Sequence, residues 1–408
     1  MSPGAAGRRA VPLVRPDLPA FADVAPGIER ILASGLLTKG KVLEAFEDDV
    51  RTLTGCRHAI AVSSCTVGLA LVLRSLAAVA KSRCDGCAQP CHEAAAANNG
   101  AGRARTEVIV PSFIFLAAPA AIVWAGLEPV FVEVDPATYT IDPAAVEAAI
   151  TDRTAAILAC HTFGCPCDMN ALRAISTRTG VPLLVDAAHG LGTLDSGRQV
   201  GAGGLAQVFS LSPTKLVVAG EGGVVVTSCD CLADLVRQAR EYGNDGHYGC
   251  RLPGLNGRLP EISAHLARAS LARLDEVAAR RAAAVAAYRE ELAGLPGISF
   301  QRIPATGRSS WKDFTIAVDP LHAGADRDSL QRALAAAGIE TRAYYSPCCH
   351  RMESFARFVQ PGQTLPVTDR LADTLLALPL GVHVTPDVAR EVAGEIRRAL
   401  SVREPLAT

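Results

Sequence analysis

LLVDAAHGLG, residues 183–192, is an apolar run that ends in one acid, Asp186, and then passes into small residues. FSLSPTK, residues 209–215, repeats the pattern with Ser210 and a single lysine, Lys215, before the glycine-rich AGEGGVVVT. Asp186 and Lys215 are separated by about the length of one strand–helix–strand unit. Because ligands of open α/β sheets bind beyond the carboxyl ends of the strands, we expect both side chains to meet at one sheet edge.

The sequence around these two segments alternates short β-branched runs with Ala- and Leu-rich stretches. Strands are predicted at 58–62, 107–110, 129–134, 155–159, 182–185, 207–209 and 223–227. Helices are predicted between them at 67–80, 116–125, 143–150 and 168–179. Strands that are apolar on both sides and separated by helices predict an α/β fold with a mostly parallel sheet flanked by helices.

The remainder of the chain predicts a second, smaller domain. A long helix is expected over 261–295, followed by a strand at 314–318 and helices at 327–337 and 386–400. We therefore divide the chain into a large domain, 1–259, and a small C-terminal α/β domain, 260–408. Residues 81–105 interrupt the large domain with Gly, Pro, Asn and charged residues, and connections of that length tend to be functional or disordered.

Composition excludes several classes of protein. Of the 408 residues 49% are hydrophobic and 20% charged, which excludes a disordered or fibrous chain. The net charge of −1 provides no general attraction for nucleic acid or an anionic membrane. The N-terminal segment lacks the apolar stretch of a secretory signal, and the longest apolar run, 115–127, is too short to span a bilayer. A cytoplasmic protein is expected.

Asp186 and Lys215 together have the chemistry that pyridoxal 5'-phosphate (PLP) requires. A lysine amine holds this cofactor as an imine, and a carboxylate keeps its pyridine nitrogen protonated, so that the ring can accept electrons from a substrate carbon. Lys215 would also move the proton between substrate and cofactor. Each residue alone has an ordinary alternative, since a strand-end Asp often caps a helix and a loop Lys is usually a solvated charge.

Matching segments run almost end to end and resemble the DegT/DnrJ/EryC1/StrS family of sugar aminotransferases. They are GLLTKGKVLEAFEDDV (35–50), VSSCTVGLAL (62–71), VPSFIFLAAPAAIVWAG (110–126), VDAAHGLG (185–192), FSLSPTKLVVAGEGGVVVT (209–227) and GLNGRLPEISA (254–264). The resemblance implies the aspartate-aminotransferase (type I) PLP fold. Some relatives carry His where this chain has Lys215 and perform dehydration, so the retained lysine favours aminotransfer.

The resemblance also implies which residues bind PLP. Thr66 and the backbone at Cys65 would bind its phosphate at a helix N-terminus, and Ser210 would add a hydroxyl. Cys65 departs from the family's usual Gly or Ala, and a small residue filling a tight turn is the simpler interpretation. Phe115 would lie against the ring and His189 close to it, although an aromatic at 115 is also typical of a core.

Asn256 would reach the cofactor phosphate of a neighbouring subunit, which implies a homodimer with shared active sites. From the sequence alone, an Asn between glycines is equally a turn residue.

The segment GIETRAYYSPCCHRMESF (338–355) resembles the corresponding loop of enzymes that aminate C4 of a dTDP-linked 4-keto-6-deoxyhexose. Tyr344 and His350 are our candidates for the sugar pocket; alternatively, the tyrosines pack between domains and His350 is a loop residue. The amino donor implied by the resemblance is glutamate, and C3 is the alternative position of amination.

The chain has 13 cysteines, for which free thiols or ligands are expected rather than a disulfide framework. Cys84, Cys87, Cys91 and His92 could form a zinc or iron–sulfur site, but adjacent Cys91 and His92 rarely reach one ion, so our prediction is no metal.

Two further functions stay open from the sequence. One is a PLP enzyme of aminocyclitol or aminobenzoate biosynthesis, and the other is a non-catalytic regulator that retains the fold.

Overall fold

The computed structural model describes residues 10–79, 105–247, 249–250 and 252–401. The cluster formed by Cys84, Cys87, Cys91 and His92 lies outside these residues, as does all but the end of the predicted insertion. The ten cysteines within them are free thiols, as predicted. No helix of the described ranges is both long and apolar enough to cross a membrane.

Within the described residues, strands and helices alternate between His58 and Asp186. The strands are β1 (His58–Val62), β2 (Glu107–Pro111), β3 (Glu128–Val132), β4 (Thr154–Cys160), β5 (Leu183–Asp186), β6 (Leu194–Asp195), β7 (Arg198–Gln199), β8 (Ala206–Ser210), β9 (Gly223–Thr227), β10 (Ile298–Phe300), β11 (Gly307–Arg308), β12 (Phe314–Val318) and β13 (Leu375–Leu378). All seven strands predicted for the large sheet are confirmed.

The predicted helices at 67–80, 116–125, 143–150, 168–179, 327–337 and 386–400 are confirmed to within two residues at each end. They are α1 (Phe21–Ser34), α2 (Lys41–Thr54), α3 (Cys65–Val79), α4 (Ala117–Trp124), α5 (Pro143–Ala149), α6 (Met169–Thr179), α7 (Asp230–Ala239), α8 (Glu261–Leu271), α9 (Leu274–Leu292), α10 (Pro320–Ala323), α11 (Arg327–Ala336), α12 (Pro366–Thr374) and α13 (Pro386–Ser401). Three short 3₁₀ turns lie at Thr162–Gly164, Cys349–Arg351 and Glu353–Phe358.

Seven strands form the large sheet in the order β1-β9-β8-β5-β4-β2-β3. Neighbours from β8 to β3 pair in parallel, whereas β9 is antiparallel to both β8 and β1. The predicted mostly parallel α/β sheet is confirmed. Because β1 then runs in the same direction as β8, the carboxyl ends of six strands lie along one edge.

Alternate residues of these strands enter two separate cores. Ile60, Val208 and Val225 pack on one face with apolar residues of α3, α4 and α7. Ala61, Phe209 and Val224 pack on the other with residues of α2, α6 and α8. Each strand is therefore buried on both faces, which explains its uninterrupted apolar sequence.

The predicted single helix over 261–295 is wrong, because the chain forms α8 and α9 with a break at Ala272 and Arg273. The passage between cores comes later than the break. Val277, in the first part of α9, packs with Ala264 of α8 in the core of the large sheet, whereas Tyr288 of α9 belongs to a third core. That third core surrounds the antiparallel sheet β10-β12-β13.

A small ribbon connects the C-terminal region to the large sheet. β11 pairs with β6, so that Arg308 lies opposite Leu194, and the backbone N–H of Ser196 donates to the Thr306 carbonyl at 2.8 Å. In sequence, β6 comes shortly after Asp186, and β11 comes directly before residues 309–313. The pairing of β11 with β6 therefore brings residues 309–313 next to the carboxyl edge of the sheet.

Candidate active site

The strand register brings the predicted residues to one place. Asp186 lies opposite Cys160 of β4 and Val208 of β8. Ser210 lies opposite Gly223, which in turn lies opposite Val62 at the end of β1. Asp186, Ser210 and the beginning of α3 are therefore neighbours along one edge of the sheet, as the sequence predicts.

Asp186 is buried, with 5% of its surface exposed. One carboxylate oxygen accepts a hydrogen bond from the Ala188 backbone N–H at 2.9 Å, and the Cys65 sulfur lies 3.9 Å from it. Burial raises the pKa of Asp186, while the hydrogen bond from Ala188 and the charge of Lys215 oppose the shift. A cationic partner at this position would therefore gain strongly from the carboxylate.

Lys215 is partly buried in the turn that follows β8, where its backbone N–H donates to the Ser212 carbonyl at 3.0 Å. Burial, followed by the nearby positive charge of Lys312, lowers the pKa of Lys215 to about 8. The charges of Asp313 and Asp186 act in the opposite direction. A lysine amine that loses its proton so readily can act as a nucleophile or a base near neutral pH.

The N-terminus of α3 (Cys65–Val79) opens onto this edge. The Ser64 hydroxyl caps the helix by accepting from the Val67 N–H at 3.1 Å. The helix itself provides no acceptor for its first N–H groups, which include those of Cys65 and Thr66. Gly223 packs so closely here that a Cβ would lie 2.6 Å from the Cys65 nitrogen. Amide donors, a helix dipole and Ser210 thus converge where an anion would be favoured.

The Cys65 thiol faces protein groups rather than solvent. It is buried, and its sulfur lies 3.4 Å from the Val208 carbonyl oxygen. Burial raises the pKa of the Cys65 thiol, and the nearby Asp186 charge raises it further. The thiol therefore stays protonated, which supports its interpretation as a small residue in a tight turn.

His189 is held as a neutral ring. The Phe163 backbone N–H donates to its Nδ1 at 3.1 Å, and the two rings stack with centroids 6.4 Å apart. Burial lowers the pKa of His189 well below its usual value, and Lys215 and Lys312 lower it further. Because Nδ1 accepts a hydrogen bond, the ring proton is on Nε2.

A segment that sequence reasoning did not single out, residues 309–313, packs against the same residues. The Ser310 hydroxyl donates to the His189 carbonyl at 2.7 Å, and the Lys312 N–H donates to the Phe163 carbonyl at 3.2 Å. Gly164, with φ of 92°, makes room for this contact, since a Cβ there would lie 2.2 Å from the Ser310 oxygen. The one feature of the sequence that could have pointed to this segment is the charged pair Lys312-Asp313, directly before the apolar strand β12.

Phe115 and Asn256 are both exposed within the chain. Phe115 has 52% of its surface exposed, unlike Phe113, which is fully buried among aromatic rings. Asn256 forms a single bridge with Glu241. Their assigned contacts, with a cofactor ring and with a second subunit, stay predictions.

Tyr344 and His350 lie in different surroundings. Tyr344 is partly buried, 6.3 Å from the Phe163 ring centroid, with the Arg342 guanidinium over its own ring. His350 is buried, with Nδ1 2.7 Å from the Ser112 hydroxyl and Nε2 3.1 Å from an Asp369 oxygen. Tyr344 thus packs against an aromatic layer formed by Phe113, Phe163 and Tyr345. Both nitrogens of His350 face protein groups. Their roles in a sugar pocket stay predictions.

Cys348, His350 and Asp369 bring three potential metal ligands within 4.8 Å of one another. The Arg351 guanidinium already binds both oxygens of Asp369. Burial also raises the pKa of the Cys348 thiol to about 12 and lowers that of His350. The Arg351 guanidinium already neutralises Asp369, and the Cys348 thiol is protonated, so these three residues form a poor cation site.

Glu261, the acid of the GLNGRLPEISA segment, has a role that the sequence did not reveal. Its buried carboxylate accepts three backbone hydrogen bonds at the start of α2, from Gly40, Val42 and Leu43, at 3.0 to 3.1 Å. It therefore caps a helix that lies more than 200 residues away in sequence. The motif is structural at this residue.

Comparison with known proteins places this chain in one family. The model of the DegT/DnrJ/EryC1/StrS aminotransferase family matches residues 22–397. The chain is 35% identical over 376 residues to the erythromycin biosynthesis sensory transduction protein EryC1 of Saccharopolyspora erythraea, covering 92% of this chain and 94% of that protein. It is 36% identical over 380 residues to dTDP-3-amino-3,4,6-trideoxy-alpha-D-glucose transaminase of Streptomyces venezuelae, covering 92% of each.

The fold also matches a solved structure closely. The crystal structure of DesI in the presence of its TDP-sugar product superposes with a TM-score of 0.85 at 36% identity, covering 98% of this chain and 95% of that one. The predicted family, fold class and enzyme class are confirmed. The chain belongs to the DegT/DnrJ/EryC1/StrS aminotransferase family and is an aminotransferase.

Proposed function

We propose that this enzyme uses PLP to transfer an amino group from glutamate to the C4 keto group of a nucleotide-linked deoxysugar. The observation that carries the proposal is the meeting of buried Asp186 and the low-pKa amine of Lys215 at the carboxyl edge of the sheet. A scaffold has no use for a partly buried lysine of this kind, whereas imine chemistry requires one.

The residues fit the cofactor on chemical grounds. The amides at the start of α3, with Thr66 and Ser210, would hold a phosphate, and Asp186 would pair with a protonated pyridine nitrogen. Phe115 and His189 would flank the ring. Lys215 is the amine that would bind the aldehyde carbon.

The protein's own contribution is binding and proton transfer. PLP, when bound, provides an electron sink for the negative charge left at the substrate carbon. Lys215 Nζ would take the proton released from the donor's α carbon and pass it to the bound cofactor, and it would move a proton from the cofactor to the sugar carbon when the keto sugar is aminated. Asp186 stays ionised against its partner, and His189, neutral and fixed by Phe163, adds no competing charge.

The substrate assignment rests on the 338–355 segment and on the relatives. One relative is named as a transaminase for a 3-amino sugar, and another was solved with its TDP-sugar product. We favour C4 from the resemblance of the segment, and C3 is the alternative. Tyr344 and His350 are the proposed sugar-pocket residues, with Tyr344 at the aromatic layer the better supported by its position.

The proposal includes a homodimer in which Asn256 of each subunit reaches the partner's cofactor phosphate. The exposure of Asn256 leaves it available for such a contact. The proposal also keeps the division into domains 1–259 and 260–408. The buried residues of the third core all lie between 284 and 396, while residues 264–278 pack in the core of the large sheet.

Product analysis tests the substrate. The purified enzyme, glutamate and a dTDP-4-keto-6-deoxyhexose should give 2-oxoglutarate and a sugar aminated at C4. Amination of a 3-keto substrate alone would move the assignment to C3. Turnover of neither sugar, with a keto cyclitol accepted instead, would favour the aminocyclitol alternative. One relative is named as a sensory transduction protein, and absence of any cofactor spectrum would favour the regulator alternative.

A further inference from the structure

A buried ion pair, Lys312 with Asp313, has no role in the proposed function as stated so far. Its segment meets the Lys215 segment at Gly192, where a Cβ would lie 3.1 Å from Leu216 and 3.5 Å from Ser310. Lys312 Nζ is 2.7 and 2.8 Å from the two Asp313 oxygens. The two side chains have only 6% and 12% of their surface exposed. Taking both charges out of water costs free energy that well-packed apolar residues would not, so the pair points to a functional use.

The backbone around this pair is fixed from two directions. The buried guanidinium of Arg281 donates to the carbonyls of Trp311 and Lys312, at 3.1 and 2.9 Å. From the other side, the Lys312 N–H donates to the Phe163 carbonyl at 3.2 Å, within the layer that holds His189. These hydrogen bonds fix the backbone of Lys312 beside Phe163 and His189.

The charged and titratable groups that act on Lys215 come from three parts of the chain. They are Asp186 and His189 after β5, Cys65 at the start of α3, and Lys312 and Asp313 before β12. His189 and Cys65 are neutral, as argued above. The charges that act on Lys215 are therefore two carboxylates and one ammonium, and only the ammonium opposes a positive charge there.

We propose that Lys312 and Asp313 are positioning residues that set the charge state of Lys215: the Lys312 ammonium disfavours a second positive charge on Lys215 Nζ, and the Asp313 carboxylate limits that effect. The inference deepens the proposed function and rests on it. A neutral Lys215 amine is the form that can accept a proton or attack a carbonyl carbon. The pair would keep that form populated near neutral pH without contacting the substrate.

The test is a pH titration of the visible absorbance band of the PLP-loaded enzyme, because that band reports protonation at the Lys215 nitrogen. Lys312→Met should raise the midpoint by about one pH unit, since it removes a like charge. Asp313→Asn should lower the midpoint, since it leaves the Lys312 charge uncompensated. Lys312→Arg keeps the positive charge and should leave the midpoint at its wild-type value. Lys41→Met, at an exposed lysine of α2, is the control.

The opposite signs separate this role from a structural one. A pair that merely supports the fold would, when broken either way, move both midpoints toward the solution value. Equal shifts or unchanged midpoints would overturn the inference, as would Lys312→Met raising the KM for glutamate with an unmoved midpoint. If Lys312→Met does not retain cofactor, Asp313→Asn decides alone by the direction of its shift. A wild-type protein without any band would instead overturn the proposed function.

Discussion

The carboxyl edge of the large sheet and the 309–313 segment form two sides of one site, but their sequences reveal this unequally. Asp186, Ser210 and Lys215 follow strands that can be recognised from short local patterns. Ser310 and Lys312 reach the same place through hydrogen bonds to residues more than 100 positions away, at His189 and Phe163. Residues at the ends of strands can be recognised in the sequence, whereas residues brought to the same place by distant tertiary contacts cannot.

Of the substitutions on the two sides of the site, one at the sheet edge should reduce turnover the most. Lys215→Ala removes the imine-forming amine and the proton carrier, so turnover should fall by about 10²–10⁴-fold or more. The visible band should disappear as well. Steady-state rates and an absorbance spectrum check this, with the Lys41→Met enzyme as the matched lysine control. A Lys215→Ala enzyme that keeps both properties would move the catalytic role elsewhere.

The charge state of Lys215 predicts a pH dependence for the half-reaction in which it acts as a free amine. Below its pKa of about 8 the nitrogen is an ammonium and cannot accept a proton, so the rate should fall about tenfold per pH unit. Above that pH the rate should level off. Single-turnover rates with the keto sugar between pH 6 and 10 measure this, and a flat profile would contradict it.

Glu261, a residue of the GLNGRLPEISA motif, should affect stability rather than chemistry. Glu261→Leu leaves three N–H groups at the start of α2 without their acceptor, and we expect a loss of about 3 kcal/mol in the free energy of unfolding. Glu261→Gln keeps an acceptor oxygen and should cost less. Denaturant unfolding of both variants measures the difference; equal losses would mean that packing, not capping, is the cause.

The contact between the two sides should be worth the least. Ser310→Ala removes one hydrogen bond to the His189 carbonyl, for an expected loss of about 1 kcal/mol in the free energy of unfolding. The imine band should stay in place because Lys312 is untouched. Ser401→Ala, at the exposed end of α13, is the control. A shifted band in Ser310→Ala would show that the two sides are coupled more tightly than separate hydrogen bonds predict.

Much of the fold could be predicted because the strands of the large sheet are short, β-branched and bounded by helices. The break at Ala272 and Arg273 was not predicted, since the sequence there is Ala- and Leu-rich and contains no Gly or Pro to mark the end of a helix. Glu261 and Lys312 were missed for a related reason. Their partners, at Gly40 and Phe163, are brought near by the tertiary fold, and no local pattern records such distant pairings.

The most direct test of the central claim is an absorbance spectrum of the purified protein, supplied with PLP, before and after glutamate. The account predicts a visible imine band that shifts to the pyridoxamine form when glutamate is added, and no such band in Lys215→Ala. A band that glutamate leaves unchanged would contradict the proposed donor. A protein that gains no band with PLP would contradict the claim that Asp186 and Lys215 form a cofactor site.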